Sequence, residues 1–172
     1  MKLQGIILRN DLSWKPNTEI MTKKAYKRLW ILKRLKRQGA SLDDLRDIYV
    51  KQVRSVLEFG VPVWSSGLTQ EDASDIERVQ KSFLHIALGN DYTDYQAALA
   101  ESSLEMLSSR RTRLCNSFAV KTAKHPKHNH WFVKTKPGVN TRSHKVVFKP
   151  PLCRLSRLKK SPIPYLTNLL NS

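Results

Sequence analysis

The residues in this chain best suited to chemistry are cations set at helical spacing. Lys23 and Lys27, and likewise Lys24 and Arg28, lie four apart, so each pair projects from one side of a helix. Arg34, Lys36 and Arg37 extend the basic stretch through residue 37, and Tyr26 and Trp30, also four apart, interleave with it. Ammonium and guanidinium groups in such a row neutralise phosphates, each neutralised phosphate adding about 0.9 to the salt slope of binding on duplex DNA. The two aromatics could stack on bases or ribose, but at helical spacing they read first as core residues. Arg110 and Arg111, with Arg113, form a second basic cluster. A solvated basic face without a ligand would have the same pattern.

Other chemistries fit the sequence less well. Cys115, His125, His128, His130 and Cys153 could in principle supply zinc ligands. Structural zinc sites pair their ligands two to four residues apart at both ends of a loop, and here only the histidines are close. Cys115 lies in an apolar helical stretch, as a small core residue would. Acid–base or two-metal chemistry needs carboxylates converging in a dry pocket. Asp43 with Asp44, and Glu71 with Asp72, instead open helices, where the helix dipole favours anions. No Gly-rich phosphate loop and no Ser/His/Asp arrangement stands out.

Charge sharpens the reading of the cations. The chain of 172 residues carries 31 Lys+Arg against 14 Asp+Glu, a formal net charge of +17. Up to Glu105 the balance is close to neutral, whereas from Met106 onward there are 15 basic residues and no acidic one. Such asymmetry points to a polyanionic partner, nucleic acid or an acidic membrane surface. No apolar run approaches the ~20 residues needed to cross a bilayer, and the run from Gly5 to Leu8 is too short for a signal peptide. Membrane insertion is therefore not expected. Two separated cysteines make no disulfide framework, which fits a reducing, intracellular setting.

The elements that would position these residues are mostly helices. Residues 1–17 read as one short strand built on Leu3, Ile6, Ile7 and Leu8, closed by Pro16 and Asn17; a strand without a partner is not stable by itself. Thr18 is a plausible N-cap for a first helix whose apolar face is Met21, Ala25, Leu29 and Leu32, with Gly39 as the stop. Ser41 with Asp44 and Thr69 with Asp72 are capping-box-like starts. The second helix uses Leu45, Ile48, Tyr49, Val53, Val56 and Leu57, and Gly60 and Pro62 interrupt it before Trp64. The third uses Ile76, Val79, Phe83, Ile86 and Ala87, ending at Gly89. A short fourth follows Asp94, and a fifth runs from about Leu104 to Ala123 on Leu107, the stem of Arg111, Leu114, Phe118 and Val120 or Ala119. Residues 18–124 thus read as a helical bundle. Residues 125–172 read as a basic, Pro-containing, weakly structured tail, with Val146, Val147 and Phe148 as an isolated strand.

Several ordered blocks resemble a known family. Leu12-Ser13-Trp14, Arg54-Ser55-Val56-Leu57-Glu58-Phe59-Gly60 and Pro62-Val63-Trp64 are similar to the jockey-type and related LINE-like non-LTR retrotransposon reverse transcriptases. So are Glu77-Arg78-Val79-Gln80-Lys81, Leu88-Gly89, Tyr92 with Tyr95, Arg110-Arg111, Leu114-Cys115 and Phe118-Ala119, and the closing Ser161-Pro162-Ile163-Pro164-Tyr165-Leu166. The resemblance implies that residues 1–17 are a remnant of the polymerase palm, that 18–124 form a thumb-like domain against the template–primer duplex, and that 125–172 are a C-terminal extension. It implies RNA and DNA as partners, the palm and fingers as neighbours, and a nuclear setting. The family's Mg²⁺ is held by palm aspartates in a Tyr-X-Asp-Asp-type sequence that these residues do not contain. No cofactor and no catalytic centre are therefore expected here, although the parent family is an RNA-directed DNA polymerase. Two departures stand out: Asn17 where the family usually has His, and Phe59 where it usually has Tyr. Apart from the resemblance, the same cations would suit a helical module that recruits an acidic protein, or a decayed copy without function.

Overall fold

A computed structural model describes residues 2–11, 13–135 and 147–172. Leu12 and Val146, named above, lie outside the described residues. The fold is mainly helical. A hairpin, β1 (Lys2–Leu3) and β2 (Ile6–Ile7), precedes α1 (Lys15–Arg37), α2 (Leu42–Ile48), a π-helical stretch (Tyr49–Arg54) and α3 (Ser55–Leu57). Then come α4 (Val61–Trp64), α5 (Gln70–Leu88), α6 (Tyr95–Glu101), α7 (Leu107–Lys124), α8 (Ser156–Lys159) and α9 (Pro162–Asn171). Two compact units divide the described residues: Met1–Gly60 with Leu68–Arg110, and Val61–Gly67 with Arg111–Ser172. These do not coincide with the segments 1–17, 18–124 and 125–172 read from the sequence.

In the first unit the expected single strand is a hairpin. Lys2 pairs with Ile7 and Leu3 with Ile6, and the two residues between, Gln4 (φ 45°) and Gly5 (φ 89°), both take positive φ. That combination suits the right-handed twist of a two-residue hairpin. The strand therefore finds its partner within its own few residues. Its link to the helices is Asn17, whose side-chain oxygen accepts from the Ile7 N–H at 3.2 Å.

Helix α1 begins at Lys15, earlier than the Thr18 cap predicted from sequence. Pro16 lies in its first turn, where a missing N–H costs nothing, so the proline opens the helix instead of closing the strand. The predicted face of Met21, Ala25, Leu29 and Leu32 is buried and packs on α5. At the far end Gly39 (φ 88°) closes a Schellman motif, with Ala40 donating to the Leu35 carbonyl at 3.1 Å.

The next helix is capped by Ser41, which accepts from Asp44 N–H at 3.1 Å. Its buried residues, Leu45, Tyr49, Val53 and Leu57, recur every four positions. On an ideal α-helix such a stripe drifts by about 40° per step. The wider turn of the π-helical stretch counters the drift and keeps all four on one core. Thr69 and Asp72 form a full capping box at the start of α5, whose inward residues are Ile76, Val79, Phe83, Leu84 and Ala87. Ile86, predicted inward, is only half-buried. Asp94 caps α6 by accepting from Gln96 and Ala97.

The second unit holds most of α7, with Arg111, Cys115, Ala119 and Thr122 inward. Phe118, predicted as core, is exposed, and of the alternatives Val120 and Ala119 it is Ala119 that is buried, because a four-residue repeat from Arg111 selects Cys115 and Ala119. The described residues of 125–172 hold more secondary structure than the composition predicts. Ser161-Pro162 starts a helix, with proline again in the first turn. The resulting α9 buries Pro164 and Leu166 and packs on α4. Lys134 and Phe148 form an isolated bridge. Asn171 holds Phe148 at both backbone groups, accepting at 3.0 Å and donating at 2.8 Å.

Besides Gln4 in the hairpin turn, Ser103 in the first unit carries backbone strain. Ser103 (φ 52°) occupies the left-handed position of a second Schellman motif, in which Leu104 donates to the Leu99 carbonyl at 2.9 Å. Glycine suits that conformation better than any residue with a Cβ. Ser103→Gly should stabilise this unit by about 0.5–1 kcal/mol. Urea unfolding followed by circular dichroism would read the gain; a loss of stability would mean that the left-handed turn is absent.

Candidate nucleic-acid interface

The cations singled out by spacing fall into separate environments. On α1, Lys23, Lys27 and Arg34 share the side opposite the buried face, with Arg37 beyond them at the C-terminal end of the helix, and all four are exposed. Their Cα positions span roughly 21 Å at 1.5 Å per residue. None of the four pairs with a carboxylate among the described residues. The aromatics on this side depart from the core reading: Tyr26 is 43% exposed and Trp30 is 59% exposed. The Arg34 guanidinium stands over the Trp30 ring, 4.9 Å from its centroid, a cation–π contact. Proximity to the helix C-terminus also favours the charges of Arg34, Lys36 and Arg37.

Lys24 and Arg28 point to another side of α1, into a groove lined also by Phe59 and the hairpin turn. Arg28 donates to the backbone carbonyl of Gln52 in the π-helical stretch. Lys36 and Arg37 line a shallow depression with Lys33 and His85.

Arg110 and Arg111, by contrast, are turned inward, and this corrects the second basic cluster. Arg110 donates to Glu58 through both Nε and Nη2, the latter at 2.9 Å, and to Glu105 at 3.1 Å. Those hydrogen bonds, above all the ones to Glu58, hold its guanidinium more firmly protonated than usual. Arg54 is 3.7 Å from the same carboxylate; burial, then the neighbouring Arg110 charge, lowers its pKa. In the second unit Arg111 is only 7% exposed. Neither Arg110 nor Arg111 is presented to a phosphate.

A buried polar network lies beneath these charges in the first unit, and spacing arguments missed it. The Gln80 side chain is fully buried. Its oxygen accepts from Tyr49 Oη at 2.9 Å, while its nitrogen donates to the Glu105 carbonyl at 2.9 Å and to Tyr95 Oη at 3.2 Å. Tyr95 in turn donates to Glu77, which also accepts from the Leu107 N–H at 3.1 Å. Glutamine within the apolar repeat of α5 is the sequence signal that marks it, since a buried amide needs partners.

The zinc reading finds no support in position. His125 and His128 stack ring on ring with centroids 4.9 Å apart. Cys115 is buried, its thiol pushed up by burial and hydrogen-bonded to Ser65. Among the described residues no three His, Cys, Asp or Glu side chains gather as metal ligands would. Nor, among the described residues, is any helix long and apolar enough to cross a membrane. No protein family matches the chain, and no curated protein or solved structure matches it significantly.

The network sets a pH dependence. Burial raises the pKa of both Tyr49 and Tyr95 above the ordinary value near 10. Their contribution to stability is fully present below about pH 10 and is lost as pH rises beyond it, because the unfolded chain ionises first. Stability measured by urea unfolding should fall from pH 10 to 11.5, and less steeply in Tyr95→Phe. Parallel slopes in the two proteins would contradict a raised pKa at Tyr95.

Proposed function

We propose that this chain is the thumb and C-terminal part of a LINE-like, RNA-directed DNA polymerase, and that it binds template–primer nucleic acid without a catalytic centre of its own. The observation that carries the reading is the outward face of α1. Lys23, Lys27 and Arg34 stand there exposed, with Arg37 at the end of the helix, interleaved with exposed Tyr26 and Trp30. A row of cations separated by ring faces suits a phosphate backbone with bases or sugars beside it. The ordered blocks that resemble that family suggest the polymerase context, with a palm and fingers as neighbours and a nuclear setting. Phosphate contacts of this kind position a duplex and carry no base specificity.

Fluorescence anisotropy with a labelled RNA–DNA hybrid tests the reading. Affinity should fall steeply between 50 and 200 mM salt. Replacing Lys23, Lys27, Arg34 and Arg37 together with Ala should reduce the salt slope by roughly three to four, at about 0.9 for each phosphate no longer neutralised. Absence of binding, or an unchanged slope in the variant, would overturn it.

A further inference from the structure

A groove opens beside the basic face. An open groove of about 380 Å³ runs between the hairpin turn, α1 and the segment from Ser55 to Phe59, within the ~300–1,000 Å³ range of clefts that hold small ligands. Its walls differ in kind. Lys24 and Arg28 stand four apart on one side, and no acidic residue lines the groove. Ile20, Val56 and Phe59 supply an apolar side. Phe59 is 58% exposed, and a Cβ on Gly5 would lie 3.7 Å from its ring, so the hairpin turn rests against it. Arg28, bonded to the Gln52 carbonyl, is fixed at the groove edge.

An anion with a flat apolar portion matches these walls. The cations call for phosphate, while an exposed phenylalanine braced by a glycine turn offers a ring surface to a base. A paired base is stacked on both faces, so the base that enters must come from a single strand.

We propose that this groove holds one unstacked nucleotide of single-stranded nucleic acid, its phosphate at Lys24 and Arg28 and its base on Phe59. The inference deepens the reading of this chain as nucleic-acid-binding and gives it separate surfaces: α1's outward face for duplex, the groove for a single strand. The groove is distinct from that face because Lys24 and Arg28 take no part in the Lys23, Lys27, Arg34 and Arg37 row.

The full chain can be tested with a fluorescein-labelled thymidine hexamer and with the RNA–DNA hybrid. Phe59→Ala should weaken hexamer binding about tenfold, in the range set by removing one base–aromatic stack, and leave hybrid affinity within about twofold. Ser55→Glu, which places an acid facing Lys24 and Arg28, should weaken the hexamer in the same way. A circular-dichroism melt confirms that each variant is folded. A hexamer carrying 5-iodouracil should photo-crosslink to Phe59. Crosslinks confined to Tyr26 or Trp30, or equal loss of hexamer and hybrid binding in Phe59→Ala, would overturn the groove assignment while leaving the duplex reading intact. Loss of hybrid binding in the four-site α1 variant, with hexamer crosslinking at Phe59 retained, would support the separation.

Discussion

The buried amide of Gln80 is the constraint on which the first unit depends. A primary amide sealed from water must have both its oxygen and its nitrogen satisfied, since each missing partner costs about 1–3 kcal/mol. Its partners come from widely separated places: Tyr49 in the π-helical stretch, Tyr95 at the start of α6, and the Glu105 carbonyl just before α7. Those elements must therefore be in place together, or none of the bonds is worth its desolvation. The π-helical stretch belongs to the same requirement. By countering the drift of a four-residue repeat it keeps Tyr49 on the core, where its ring stacks on Phe83 with centroids 4.1 Å apart.

What this core does to α1 explains the surface. Helix α1 spends its apolar face on α5, which leaves the opposite side to solvent with its long cationic stems and two aromatic rings. Large exposed rings in a basic row are unusual for a helix held only by its other face. Cation–π contact between Arg34 and Trp30 shields part of one ring and costs the charge little, because the guanidinium is weakly hydrated.

Carboxylates decide which arginines remain available. Every acidic residue in the chain lies at or before Glu105, and two of them, Glu58 and Glu105, close on Arg110. A half-buried guanidinium held by a bidentate carboxylate has no reason to leave it for a phosphate in water. The cations on the outward face of α1 have no such neighbour. Availability, more than number, is what separates an exposed cation from a structural one in this fold.

Local physics made much of the architecture legible from sequence. Caps at Ser41, Thr69 and Asp94 work through hydrogen bonds within three residues, and the Met21, Ala25, Leu29 and Leu32 face follows from helical geometry alone. The basic character of α1 was equally plain. Tertiary structure decided the rest. Tyr26 and Trp30 lie outward because α5 covers only one side of α1. Helix α9 forms where a short apolar segment finds α4. Arg110 reads in sequence like any basic residue, yet its partner Glu58 is 52 positions away. No spacing rule reaches that far: the charge that claims an arginine is set by which surfaces meet, and that is known only once the chain has folded.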